Sequence, residues 1–288
     1  MDSERYEIVD GVMHLVDPQI DLCLAEPFTL PLLPGIQEVT SLENNIDVIW
    51  NRDEEGRLET AYLKKEGRFH GQHRHFHPSG KIKSEAFYLE GKLHGPSRFF
   101  SDAGITLSSS WFYEGFPIGK SKQFYASSAL YCIQQYKKGK LHGKQEYFYE
   151  DSSLKTSLLY HEGELDGKVE LFWPSGQIKR RAFFEKGLRS GEDLIWSEGG
   201  TLLDFSQYKK GVPTGKQQKY YPNGVLKEET LYHSPERFDR TFWNQEGQLV
   251  YEGIYLDDTT FQETTKNYPE GVTQVRKGKW DGRQINFP

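Results

Sequence analysis

Three histidines, His73, His75 and His77, alternate with other residues along one short stretch of the chain. If this stretch is a β-strand, alternate side chains project from one face, and the three imidazole rings form a ladder. Neutral imidazole is a common ligand of zinc and copper. No cysteine or acidic side chain stands beside the three histidines to complete a site. We therefore expect surface histidines here, with no bound metal and no cofactor.

Lysines cluster at two points of the chain, and their ammonium groups could bind an anionic partner. Such a partner would be a phosphoinositide headgroup or an acidic protein. The same lysines could instead keep a sheet edge from pairing with another sheet. The lysines of this candidate edge are Lys137, Lys138, Lys140, Lys144, Lys209 and Lys210.

A third set of residues consists of aromatic side chains without regular spacing. Aromatic residues at the centre of an interface often carry most of its binding energy, so this set predicts a surface that binds another protein. The alternative is that the chain folds back and buries them. The predicted protein-binding residues are Phe99, Trp111, Tyr125, Tyr147, Tyr149, Trp173 and Phe183, with Trp111, Tyr149 and Trp173 at the centre.

Catalytic signatures are missing from the sequence. It contains no Gly-x-Ser-x-Gly, no phosphate-binding loop and no metal-binding His-Glu pair, so we predict that the protein is not an enzyme. The formal net charge of −6 argues against nucleic acid as a partner.

The elements that must position these residues repeat with a period of 24 residues. Three series of positions keep this interval in phase: one begins at Gly67, a second at Gly71, and a third at Gly56 with serine at two of its members. Such regularity is typical of a repeat array, in which each unit buries its apolar surface against its neighbours.

Each unit reads as strand, turn, strand, turn. In the unit that begins at Gly163, residues 168–173 and 177–184 alternate like strands, and Pro174-Ser175-Gly176 has the composition of a turn. Residues 187–191 read as the second turn. The predicted fold is all-β, an elongated array of β-hairpins that forms a single-layer twisted antiparallel meander.

Regularly spaced aromatic residues predict the packed face of this sheet. One position of successive units holds Phe76, Phe100, Phe124, Phe148, Phe172 and Trp196. We expect these side chains to be buried and to stabilise the array through stacked cross-strand pairs.

The two ends of the chain depart from the repeat. Residues 1–42 are acidic and interrupted by prolines, and we expect them to cap the array, whose first strand would otherwise expose an unpaired edge. An acidic tail without a capping role is the alternative. The predicted array covers residues 43–250, and residues 251–288 form a degenerate C-terminal repeat.

The cellular compartment is predicted from the cysteines and the N-terminus. Cys23 and Cys132 are far apart and form no disulfide framework, which favours a reducing compartment. The acidic N-terminus differs from a secretory signal. We expect a cytoplasmic location; a non-classical export signal would not be visible in this way.

Two octapeptides carry a resemblance to a known repeat. Residues 88–95 read Tyr-Leu-Glu-Gly-Lys-Leu-His-Gly, and residues 136–143 read Tyr-Lys-Lys-Gly-Lys-Leu-His-Gly. Both resemble the MORN repeat, and Tyr-Tyr-Pro-Asn-Gly-Val-Leu-Lys at 220–227 is similar to its bacterial variant in YwqK-type antitoxin-like proteins.

This resemblance covers about residues 67–234. It implies a non-catalytic scaffold, adaptor, inhibitor or chaperone that binds another protein. A peripheral module that binds anionic lipid through the lysine edge is the alternative that it leaves open.

Overall fold

The computed structural model describes residues 6–9, 12–15, 29–35, 39–268 and 270–288. Within these residues the chain forms strands and turns and no helix. The described residues therefore contain no helix that is long and apolar enough to cross a membrane. From residue 41 to residue 286 the strands follow one another as antiparallel hairpins in an open sheet, which confirms the predicted hairpin array.

The chain divides into two compact units. The first contains residues 1–153 and 160–163, and the second contains residues 154–159 and 164–288. The strands up to β14 belong to the first unit. They are β1 Tyr6–Val9, β2 Val12–Leu15, β3 Thr29–Pro31, β4 Ser41–Leu42, β5 Ile46–Arg52, β6 Leu58–Lys65, β7 Arg68–Phe76, β8 Ile82–Leu89, β9 Lys92–Phe100, β10 Thr106–Tyr113, β11 Phe116–Phe124, β12 Leu130–Lys137, β13 Lys140–Leu141 and β14 Gly143–Phe148.

The second unit contains the strands after β15, and β15 itself is divided between the two units. These strands are β15 Leu154–His161, β16 Glu164–Phe172, β17 Ile178–Glu185, β18 Leu188–Trp196, β19 Leu202–Lys209, β20 Val212–Pro213, β21 Gly215–Tyr220, β22 Leu226–Ser234, β23 Arg237–Trp243, β24 Leu249–Tyr255, β25 Thr260–Asn267, β26 Val272–Trp280 and β27 Ile285–Asn286. The predicted boundaries at residues 42 and 250 stay predictions.

One kind of turn joins the strands through two residues that both have positive φ. In the turn between β17 and β18, Lys186 has φ 48° and Gly187 has φ 77°. Positive φ at both central positions defines the type I′ turn, whose twist matches that of the flanking strands. Seven such turns recur along the array, and each places glycine second because it adopts positive φ without a steric cost.

The other turn has four residues and two closing hydrogen bonds. In His77-Pro78-Ser79-Gly80, the Gly80 N–H donates to the His77 carbonyl, and the His77 N–H donates to the Lys81 carbonyl. The last turn residue needs positive φ, and Ser128 and Ser152 adopt it where the repeat lacks glycine, with φ of 72° and 71°.

The second glycine series lies inside strands or, at Gly143 and Gly215, at their first residue, which corrects the prediction that residues 187–191 form a turn. Strand β18 already begins at Leu188, and Gly191 lies within it with φ 85°. These glycines make room for a side chain of the preceding strand. A Cβ atom at Gly167 would lie 2.6 Å from Cδ2 of Leu159, and one at Gly71 would lie 3.0 Å from Cδ1 of Leu63.

Hydrogen bonds between neighbouring repeats account for the constant period. The turn glycine donates its N–H to a carbonyl of the preceding repeat, as Gly91 does to Phe69 at 2.8 Å. The motif histidine accepts a hydrogen bond from the residue just before the next turn glycine: the Glu114 N–H donates to Nδ1 of His94 at 3.4 Å. An insertion or deletion within a unit would break these bonds, so the length of the unit is fixed.

The regularly spaced aromatic residues are half-buried, and the prediction that they are buried is wrong. Phe76, Phe100, Phe124, Phe148, Phe172 and Trp196 all have intermediate exposure. A single layer leaves both faces of the sheet open to solvent unless another segment covers them. The buried apolar side chains are concentrated instead where residues 29–35 meet the first unit.

The N-terminal strands form a small sheet of their own. The antiparallel order is β1-β2-β3, and β3 lies against β7 and β8. Residues 29–35 therefore cover a face of the array. Most of the predicted cap, including Cys23, lies outside the described residues.

Candidate functional site

The three histidines do not form one ladder. Strand β7 ends at Phe76, so His77 lies in the turn, where its Nε2 is 3.0 Å from the Phe100 carbonyl oxygen. The rings of His73 and His75 stack with centroids 4.8 Å apart. Burial, together with repulsion from His75, lowers the pKa of His73 to about 4. Among the described residues no group of three or more His, Cys, Asp or Glu could hold a metal ion.

The predicted aromatic residues lie on both faces of the sheet, not on one. Ladder pairs run from Phe99 through Ser108, Gln123 and Cys132 to Tyr147, and directly paired residues share a face. Trp111 pairs with Pro96, three positions from Phe99 on the same strand, so Trp111 points the opposite way. The expectation of a single aromatic face is therefore wrong within the first unit.

Three of the predicted aromatic residues, Tyr125, Tyr149 and Trp173, begin four-residue turns. The Tyr125 hydroxyl donates to the Phe148 carbonyl at 2.8 Å, and Nε1 of Trp173 donates to the Trp196 carbonyl at 3.3 Å. These bonds join neighbouring turns along one edge, so both side chains help to hold the array together. Nothing in the structure tests whether they also bind a partner.

The predicted lysines lie at or near type I′ turns, and all six are exposed. Lys138 and Lys210 are turn residues with positive φ. Lys137 pairs directly with Lys140 across the hairpin, which brings two like charges together. Lys144 differs, because its ammonium lies 2.6 Å from Oε1 of Glu146.

One column of side chains emerges that the sequence analysis did not single out. Its members lie one strand before the strand glycines, at the 24-residue interval, and we call them the apolar column. They are Leu63, Phe87, Trp111, Leu159, Phe183 and Leu231, and Gln135 and Gln207 occupy the remaining positions. The periodic recurrence of large apolar residues at this position was the available signal; only Trp111 and Phe183 were predicted.

The first part of the apolar column is covered by residues 29–35. Leu30 forms a buried cluster with Phe87, which is 2% exposed, and Leu33 packs against the cluster that contains Leu63. The Pro31 carbonyl oxygen would lie 2.5 Å from a Cβ at Gly71, so the segment rests directly on the strand glycine.

A polar contact fixes this segment in place. The Leu33 N–H donates to Oε1 of Gln72 at 2.9 Å, and Nε2 of Gln72 donates to Oε2 of Glu85 at 2.7 Å. The Glu85 carboxylate is buried and paired with Arg74 at 2.8 Å and Arg98 at 3.2 Å. Gln72 is thereby held with its carbonyl oxygen toward the segment.

The apolar column of the second unit is exposed. Leu159 is 41% exposed, Phe183 is 39% exposed and Leu231 is 38% exposed. Phe183 pairs across the ladder with Lys168. Lys168 directly follows Gly167, the glycine that lies against Leu159. The ammonium of Lys168 lies 2.9 Å from Oε2 of Glu170. The same repeat position is thus buried in one unit and open to solvent in the other.

Comparison with known proteins identifies the repeats of this sheet. Residues 69–90, 165–186 and 213–234 match the model of the MORN repeat variant. These three stretches are therefore MORN repeats of the variant type, as the motifs predicted; the YwqK-type subfamily stays a prediction. MORN repeats are generally found in scaffold proteins that bind proteins or membranes, and they are generally non-catalytic.

The other comparisons add little. No curated protein matches the sequence. A chain of the Tc holotoxin pore of Photorhabdus luminescens is similar over 84% of this chain, with 13% identity and a TM-score of 0.18. This chain spans only 16% of that one, and no conclusion about function follows from the likeness.

Proposed function

We propose that the protein is a non-catalytic scaffold that binds another protein through the exposed face of its repeats. The observation that carries the proposal is the exposure of Leu159, Phe183 and Leu231 on the second unit. Large apolar side chains that recur on an exposed surface favour a binding site over a solvated one.

The non-catalytic part of the proposal rests on the sequence and the repeat. The chain lacks the nucleophile and phosphate-loop motifs of common enzymes, and MORN repeats generally have no activity of their own. Cytoplasmic binding is part of the same proposal. It is supported by the two widely separated cysteines, which provide no disulfide framework in the sequence, as in proteins of reducing compartments.

The test is capture of partners from the native cell by the wild-type chain and by a Phe183→Ser/Leu231→Ser variant. We expect a discrete protein to be retained by the wild type and lost with the variant. If the captured partner loses activity when this chain binds it, the chain is an inhibitor. If the activity of the partner is unchanged, the chain is an adaptor. Equal retention by both chains would contradict binding through this face.

A second candidate function is binding of anionic lipid at the hairpin of Lys137, Lys138 and Lys140. The pairing of Lys137 with Lys140 favours it, because like charges directly opposite each other are destabilising and an anion would relieve the repulsion. Co-sedimentation with phosphatidylserine vesicles tests it. Lys138→Glu/Lys140→Glu should abolish sedimentation and Lys144→Glu should not, since Lys144 is already paired. Failure of the wild type to sediment would exclude this function.

A further inference from the structure

The contact between residues 30–33 and the first unit has a defined spacing. Leu30 packs on Phe87 and Leu33 packs near Leu63, which is the column residue one repeat earlier. Column residues of adjacent repeats are two strands apart, or about 10 Å. Three residues of extended chain also span about 10 Å. The segment therefore crosses the strands, and Leu30 and Leu33, at i and i+3, meet successive members of the column. Leu32 also packs against the cluster of Leu30 and Phe87.

The second unit repeats this arrangement of column residues, with Leu159 and Phe183 exposed. Phe183 and Leu159 stand in adjacent repeats, as Phe87 and Leu63 do, and both sit beside strand glycines. At Gly71 the nearest atom to an added Cβ is the Pro31 oxygen, whereas at Gly167, the corresponding glycine of the second unit, the three nearest atoms all belong to Leu159. The glycine beneath Leu159 is thus covered by Leu159 itself, where its counterpart also carries Pro31.

We propose that Leu159 and Phe183 bind an extended segment of a partner protein with apolar residues at i and i+3, in the manner in which the first unit binds Leu30 and Leu33. This proposal rests on the proposed protein-binding function and specifies its ligand. The first apolar residue packs on Phe183 and the second on Leu159.

The polar anchor of this second site has the opposite hydrogen-bonding character. Lys168 occupies the repeat position of Gln72, and an ammonium group donates hydrogen bonds but cannot accept them. The Gln72 oxygen accepts a backbone N–H, whereas Lys168, which is paired with Glu170 in the free protein, can bind only a carbonyl or carboxylate oxygen of a ligand. The partner segment therefore presents an acceptor beside its second apolar residue.

The probe is a fluorescent peptide with the sequence of residues 27–36, titrated into the full-length protein. Because the chain's own segment occupies the first site, we expect the peptide to bind the second through its two leucines, with a backbone carbonyl and not the Leu33 N–H toward Lys168. Phe183→Ser and Leu159→Ser should each weaken binding at least tenfold. Val275→Ser is the matched control, since Val275 is an exposed apolar residue of strand β26, outside the hairpin of Phe183, and should leave the affinity unchanged. A peptide with serine at both leucine positions corresponding to 30 and 33 should not bind.

Several results would overturn the proposal. They are no binding at millimolar peptide, equal affinity for wild type and Phe183→Ser, or an equal loss with Val275→Ser. A dimer of the free protein that Phe183→Ser dissociates would identify the occupant as a second copy and would also overturn it. If the peptide fails while a cellular partner is still captured, the site assignment is wrong and the protein-binding function stands. Thermal melting of each variant shows that it remains folded.

Discussion

Leu63 and Phe87 in the first unit and Leu159 and Phe183 in the second unit occupy the same positions of their repeats and have opposite surroundings. The first pair is 1–2% exposed beneath residues 29–35, and the second pair is about 40% exposed. The difference arises from a segment outside the repeats, not from the repeats themselves. A regular array thus provides equivalent sites, and what covers each site decides whether it serves stability or binding.

Truncation of a residue of the apolar column should give the largest difference in the free energy of unfolding between the two sites. Phe87→Ala removes a buried ring from a closed cluster and should lower the free energy of unfolding by about 3–5 kcal/mol. Phe183→Ala should lower it by about 1 kcal/mol or less, because much of that ring already contacts water. Urea denaturation measures both, and equal losses would mean that the two sites are not distinct.

Substitution of the strand glycines should give the next largest difference in stability between the two units. Gly71→Ala and Gly191→Ala both force alanine into positive φ, at 94° and 85°, so their backbone strain is matched. Only the first also drives Cβ into the Pro31 carbonyl. Gly71→Ala should therefore cost about 1–3 kcal/mol more than Gly191→Ala in thermal or urea unfolding. No difference would show that residues 29–35 do not rest on Gly71.

Gln72 and Lys168, which occupy the same repeat position, should also differ in their contribution to stability. Gln72→Leu leaves the Leu33 N–H without its acceptor and should cost about 1–3 kcal/mol. Lys168→Leu breaks an ion pair whose lysine is half-exposed and should change stability by about 0.5 kcal/mol or less. Chemical denaturation of the two variants compares them, and a larger loss from Lys168→Leu would contradict the assigned roles.

The smallest expected effect concerns pH. The pKa of His73 is about 4 in the folded protein, against an ordinary value near 6.5, so the folded state binds fewer protons between these values. The contribution of His73 to stability is complete above about pH 6.5 and is lost as the pH falls toward 4. Between pH 7 and pH 5 the loss should be about 1–2 kcal/mol.

His73→Gln is the variant for this measurement. It should flatten the dependence of the unfolding free energy on pH across that window while the buried His94 still titrates. An unchanged slope would mean that the His73 imidazole is not desolvated in the folded protein.

The hairpin array could be predicted from the sequence because turn glycines and strand alternation are local signals. The role of Gly191 could not, since a glycine that seats Phe183 inside a strand looks like a turn glycine until the register is known. The placement of Phe99 and Trp111 failed for a related reason. Which face a side chain occupies after a turn depends on the ladder and its bulges, and these are set by pairing between strands.

The covered site was beyond prediction because it depends on a contact between non-repeating and repeating sequence. Leu30 and Leu33 lie in a proline-rich stretch without periodicity, and nothing local relates them to Phe87 or Leu63. The column itself could have been found, because its large apolar residues recur at the interval of the glycines.

Hydroxyl-radical footprinting of Phe87 and Phe183, with and without the peptide of residues 27–36, tests the central claim most directly. The account predicts low oxidation of Phe87 in both samples and high oxidation of Phe183 in the free protein, falling when the peptide is bound. Equal oxidation of the two rings in the free protein, or an unchanged Phe183 with the peptide bound, would contradict it.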